Sequence, residues 1–110
     1  MNWIHLTDIS TIDQIIKDSF DKPQVIFKHS TRCSISSMAL NRLEREDAPA
    51  NANFYYLDLL SYRNISNAIA DKFNVYHESP QILIIRNGEC TYDESHQGIN
   101  MSEIAEQVAA

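Results

Sequence analysis

Two short apolar runs constrain this chain more than anything else in it. Val25-Ile26-Phe27 and Ile82-Leu83-Ile84-Ile85 show no apolar/polar alternation. A strand with one wet face alternates, whereas a strand covered on both faces reads as a continuous apolar run. Turn-forming residues bound both runs: Asp21-Lys22-Pro23 precedes the first and Asn87-Gly88 follows the second. Two such strands require a sheet with helices on both sides. The 110 residues suffice for one core, so a single domain over 1–110 is expected.

Periodicity supplies the helices. Ile12, Ile15, Ile16 and Phe20 fall at helical spacing behind Ser10 and a Thr11/Gln14 capping box. Ile35, Met38, Ala39 and Leu43 predict a second apolar stripe, with Arg42, Glu44, Arg45 and Glu46 mostly toward water. Ser61 is placed to cap a third helix with Ile65, Ala68, Ile69 and Phe73 inward, and Asn74 is a plausible left-handed stop. Asn100 and Glu103 frame a last helix with Met101, Ile104, Ala105 and Val108 inward. Strands are expected at Trp3–Leu6, Gln24–Lys28, Phe54–Leu59, Ile82–Ile85 and Glu89–Ser95. Asn87-Gly88 is a two-residue hairpin signal. The order is βαβαβαββα, an α/β mixed sheet of parallel strands plus an antiparallel hairpin edge.

Composition then removes several functions. The formal net charge is -6 with no block of like charge, so neither nucleic acid nor an anionic membrane is an expected partner. His5, Asp8, Asp13 and Lys17 interrupt the first twenty residues, unlike a signal peptide, and no apolar run reaches membrane-spanning length. A cytoplasmic location follows as an expectation, where thiols are kept reduced. Only two glycines are present, which excludes a Gly-rich phosphate loop. The two cysteines and four histidines lack ligand spacing, so no metal and no bound cofactor is expected.

Chemistry concentrates at Lys28-His29-Ser30-Thr31-Arg32-Cys33-Ser34-Ile35-Ser36, where a buried strand hands over to a helix. The first N–H groups of a helix have no intrahelical partner and favour negative charge. A cysteine there is biased toward thiolate, the form that attacks disulfides. Cys33 is thus the expected nucleophile. Ser36 stands where a Cys-x-x-Cys pair would carry its second thiol, and its hydroxyl is placed to hydrogen-bond the thiolate. Arg32 is placed to stabilise the thiolate or a carboxylate of a small thiol. His29 and Thr31 complete the candidate thiol-tuning set. A structural, hydrogen-bonded role is the simpler reading of His29. Lys28 is expected to snorkel to the strand edge. Cys90 follows the hairpin turn at the far end of the sheet and is expected to pack as a small hydrophobe.

Phe27-Lys28-His29-Ser30-Thr31, Cys33, Ile35-Ser36, His77-Glu78-Ser79-Pro80-Gln81 and Ser95-His96 resemble the YtxJ-type monothiol bacilliredoxins, small thioredoxin-like proteins of bacillithiol chemistry. The likeness runs from Trp3 to the last helix. It implies a thioredoxin-like fold in which Cys33 takes bacillithiol from protein mixed disulfides. It also implies that Pro80 is a cis-proline facing Cys33, and that Ser79 offers its backbone to an extended ligand. By the same analogy His96 and Gly98 close the edge strand beside the pocket. Dithiol thioredoxins carry a buried acid six residues before the first cysteine; Phe27 holds that place here, consistent with Ser36 replacing the second thiol. The expected partners are S-thiolated client proteins and a low-molecular-weight thiol as co-substrate, the protein being a monomer or weak dimer. Two other functions stay open: cluster binding of the monothiol-glutaredoxin kind, whose Cys-x-apolar-Ser pattern Cys33–Ser36 also resembles, and a thioredoxin-fold binding module with an idle thiol.

Overall fold

The computed structural model describes all 110 residues. In chain order the elements are β1 (Ile4–His5), α1 (Thr11–Asp18), β2 (Gln24–His29), α2 (Ser34–Glu44), β3 (Asn53–Asp58), α3 (Arg63–Phe73), β4 (Gln81–Arg86), β5 (Glu89–Ser95), a 3-10 turn at His96–Gly98, and α4 (Met101–Ala109). The five strands lie in the order β1-β3-β2-β4-β5. β1, β3 and β2 run parallel, and β4 and β5 add to β2 as antiparallel neighbours.

The two unalternating runs form the middle of this sheet. All six residues of β2 are buried, as are Gln81–Ile85 of β4. Alternate residues feed two cores. Ile26, Leu83 and Ile85 meet Ile12 and Ile15 of α1 and Ile65, Ile69 and Phe73 of α3. Val25, Phe27, Ile82 and Ile84 meet Ala39 and Leu43 of α2 and Met101, Ile104 and Val108 of α4 on the other face. Burying residues of that size contributes about 1.5–3 kcal/mol per side chain, before the entropy of ordering them is subtracted.

Turn chemistry agrees with the sequence at several joints. Asn74 takes the left-handed conformation at φ 54° that ends α3. Asn87 and Gly88 both have positive φ, 52° and 81°, as the tight hairpin between β4 and β5 requires. Asn100 accepts the Glu103 N–H at 2.8 Å and so caps α4.

Other expectations fail for local reasons. The Thr11/Gln14 capping box does not form: Gln14 donates to Asp18 at 2.8 Å, and Asp8 accepts from both the N–H and O–H of Ser10. Ser61 does not cap α3; its hydroxyl donates to Asp58 at 3.0 Å and Tyr62 precedes the helix. Phe20 lies beyond the end of α1 and is 64% exposed, its ring closing over the hairpin at Gly88. Ile35 and Met38 are 50% and 60% exposed, because α2 buries the narrower stripe of Ser36, Ala39 and Leu43. No helix is long and apolar enough to cross a membrane.

Candidate functional site

Strand register gathers the site. Lys28 of β2 faces Gln81 of β4, and Gln81 faces Ser95 of β5. The segments just beyond these residues therefore share one end of the sheet: the turn from His29 to Cys33, Ser79-Pro80, and the turn from Ser95 to Gly98. A hydrogen bond from the His96 N–H to the Pro80 carbonyl, 3.2 Å, ties the last two. The Ser79-Pro80 peptide bond is cis.

Cys33 occupies the position before the first residue of α2, with an extended backbone at φ -106° and ψ 122°. Its carbonyl accepts the first helical bond, from the Ser37 N–H at 3.0 Å. It is half-buried and carries a free thiol. The N–H groups of Ser34, Ile35 and Ser36 form the open first turn, where an acceptor at Cys33 is favoured.

Ser36 is fully buried, and its hydroxyl is committed elsewhere than to the thiol. It accepts the Ser30 N–H at 3.0 Å and lies 2.7 Å from His29 Nδ1. Burial pushes the His29 pKa down, against the opposing charges of Asp58 and Glu44. Two polar partners, the Ser30 N–H and His29 Nδ1, meet at the one hydroxyl. The hydrogen bonds of the Ser36 hydroxyl are to Ser30 and His29 rather than to the Cys33 sulfur, and they close the loop from residue 30 to 36. His29 is 3% exposed and stacks on Phe27 at 5.7 Å, in the structural role that the simpler reading gave it. Phe27, at the place of the dithiol acid, stacks on Trp3 as well, at 5.6 Å.

Thr31 and Arg32 are both exposed beside Cys33. With Leu60, Ser61 and Arg63 they line an open cleft of about 370 Å³. Arg63 has no counterpart in the sequence reading; only the turn after β3 brings it there.

Ser79 has no backbone hydrogen bond within the chain, and its buried hydroxyl is likewise without a partner. His96 adopts a positive φ of 54° and is half-buried. Arg42 was expected to face water but instead donates to the His96 carbonyl at 2.8 Å and the Ile99 carbonyl at 3.2 Å, pinning this turn to α2. Gly98 packs against Glu94, whose Cγ would lie 2.6 Å from an added Cβ.

Lys28 corrects a second expectation. It does not snorkel; it is 1% exposed on the α1/α3 face. Its Nζ donates to the Ser66 carbonyl at 3.2 Å and lies 3.3 Å from His77 Nδ1. Burial lowers its pKa to about 8. The His77 pKa is lowered too, first by burial and then by Lys28. Gln81, buried beside Lys28, donates to the Tyr76 carbonyl at 2.9 Å. These two side chains hold the segment that leads into Ser79-Pro80.

Cys90 faces Ile85, which in turn faces Gln24 at the opposite end of β2. Five strand steps separate Gln24 from His29, about 16 Å at ~3.3 Å each. A disulfide needs Cα atoms within about 7 Å. Cys90 packs against the α1/α3 core, donates to the Tyr92 carbonyl at 3.3 Å, and has its thiol pKa raised by burial.

Comparison with known proteins fits this geometry. A solved structure described as a candidate oxidoreductase with a thioredoxin fold shares 35% identity, at a TM-score of 0.78, over 94% of this chain and 90% of its own. Thioredoxin of Malassezia sympodialis superposes at 0.74 with 20% identity, over 99% of this chain and 92% of its own. Mitochondrial thioredoxin 3 of Saccharomyces cerevisiae, in its oxidised form, superposes at 0.70 with 18% identity, over 97% and 93%. The last two share the fold alone. The family model of the monothiol bacilliredoxin BrxC matches residues 4–104. With a free cysteine at the start of α2, a cis-proline at the same sheet end and a family match over nearly its whole length, this chain belongs to the monothiol bacilliredoxin BrxC family, redox proteins on a thioredoxin fold.

Proposed function

We propose that the protein removes a low-molecular-weight thiol, bacillithiol in the first instance, from S-thiolated client proteins through Cys33 alone. The Cys33 thiolate attacks the small-thiol sulfur of the mixed disulfide. A new S–S bond joins Cys33 to the small thiol, the old S–S bond breaks, and the client leaves as a thiolate that takes up a proton. The step is an exchange with no net oxidation. A second thiol must then attack the Cys33 adduct to restore the enzyme, forming a disulfide with the departing small thiol.

The observation that carries this reading is one half-exposed thiol at a helix start, with a committed serine at the resolving place and the other cysteine at the far end of the sheet. Ser79, with unengaged backbone groups before Pro80, supplies an edge along which an extended client strand adds. Arg32 and Thr31 flank the thiol, and His96 and Gly98 border the pocket. A reducing, cytoplasmic setting suits such chemistry, as does action as a monomer or weak dimer.

The test is intact-mass analysis after exposure to a bacillithiol-protein mixed disulfide. Wild type and Cys90→Ser should gain one bacillithiol, and Cys33→Ser none. An adduct on Cys90 in place of Cys33 overturns the proposal. Faster release of glutathione than of bacillithiol would overturn the choice of small thiol.

A further inference from the structure

The chain has five arginines. Three are engaged by backbone carbonyls: Arg42 by His96 and Ile99, Arg45 by Asn41, and Arg86 by Gln107 and Val108. The other two, Arg32 and Arg63, make no hydrogen bond or ion pair within the chain, and both line the one cleft with Thr31, Leu60 and Ser61. In a protein of net charge -6, two arginines without a side-chain partner lining one cleft are a local reversal of sign. The lining includes no carboxylate. Asp58, which adjoins the lining residues Leu60 and Ser61 in the chain, is turned into the β3–α3 turn, where it accepts from the N–H groups of Leu60 and Ser61 and from the Ser61 hydroxyl. It pairs with neither arginine.

We infer that Arg32 and Arg63 form a carboxylate-binding subsite, which selects the small-thiol half of the mixed disulfide by the negative charge it carries. The inference rests on the proposed function of Cys33 and adds to it the residues that set specificity. Arg32 directly precedes Cys33, so a thiol bonded to that sulfur has its substituents within reach of the cleft. A guanidinium offers planar paired donors that match a carboxylate, and two of them suit a thiol bearing two carboxylates. The cleft's size, about 370 Å³, admits a group of that kind. The hydroxyl of Thr31 is a further donor at the rim.

The experiment compares transfer to Cys33 from one neutral reporter peptide disulfide-bonded to mercaptosuccinate, mercaptoethanol or cysteamine. The wild-type protein should prefer the dicarboxylate over the cationic thiol in kcat/KM. Arg63→Gln and Arg32→Gln should each reduce that preference about tenfold, the loss of one charge-assisted contact. Raised salt should weaken the preference in the wild type. Arg45→Gln, which removes an equal charge remote from the cleft, should keep it. A wild-type enzyme without preference, or a preference that survives both cleft substitutions, overturns the subsite while leaving the Cys33 chemistry standing. No transfer from any of the three disulfides overturns both. A fourth substrate, an acidic peptide carrying mercaptoethanol, separates the source of the charge. If arginine dependence follows the peptide and not the small thiol, the assignment to the small thiol is wrong.

Discussion

At the scale of single residues, the site depends on polar groups whose partners are far away in sequence. Ser36 illustrates this. Its place three residues after Cys33 was legible, and so was the loss of a resolving thiol there. Its hydrogen bonds were not, because they depend on how β2 enters the loop and on His29 turning back toward α2. The expected outcome of Ser36→Ala is a loss of about 1–3 kcal/mol, since the Ser30 N–H and His29 Nδ1 both lose a buried partner. Urea denaturation measures it. Lys28 was legible as a strand-end lysine but not as a buried one, since its Ser66 and His77 partners come from the third helix and the loop after it.

The depressed Lys28 pKa has a consequence for stability. Between about pH 8 and its ordinary value of 10.5 the folded chain holds fewer protons at this group than the unfolded chain. Stability contributed here therefore rises with pH across that window, and the cost of the buried charge is fully present below pH 8. Lys28→Met should raise the denaturation midpoint at pH 7 and remove the rise between pH 8 and 10.5. Midpoints measured across that range check it; an unchanged slope would contradict the assignment. The burial of His29 acts in the same sense at lower pH, its contribution falling as pH drops through the ordinary histidine range.

At the scale of elements, helices and strands were legible wherever an apolar pattern met a strong stop. β5 falls on Glu89–Ser95 as expected, and α3 ends at Asn74. Caps were less legible, because Ser, Thr, Asp and Asn compete for the same N–H groups and tertiary contacts choose among them. The α2 stripe was overdrawn for a related reason. Ile35 and Met38 have helical spacing with Leu43, yet the face toward β2 is filled by Ser36, Ala39 and Leu43. Periodicity gives a stripe but not its width. Phe20 shows where the pattern outruns the element: α1 stops at Asp18, and the ring turns to the hairpin. There the Ser19 carbonyl accepts the Asn87 N–H at 3.0 Å, and the Ser19 hydroxyl accepts the Gly88 N–H at 2.9 Å. Gly88→Ala should cost about 1 kcal/mol or more, from the positive φ together with a Cβ 3.2 Å from the Phe20 ring. Thermal denaturation reads this directly, and a neutral outcome would show that the hairpin relaxes at no cost.

At the scale of the whole molecule, the sheet has two chemically distinct ends. One gathers the turn after β2, the cis-proline and the turn after β5; the other holds the β4–β5 hairpin on α1. The parallel half of the sheet was legible because strands and helices alternate, and the antiparallel half because Asn87-Gly88 fixes a hairpin. The convergence of Arg32 with Arg63 was not legible, since 31 positions separate them and only the packing of β3 beside β2 joins them. The separation of the two sulfurs along the sheet bears on what can be fished from a cell. In the exchange proposed for Cys33 the client departs first and the small thiol stays behind, with no second sulfur in reach to expel it. The wild-type chain would then carry a record of what it has removed: alkylating a cell extract at once should trap the small thiol on Cys33, where its mass identifies it.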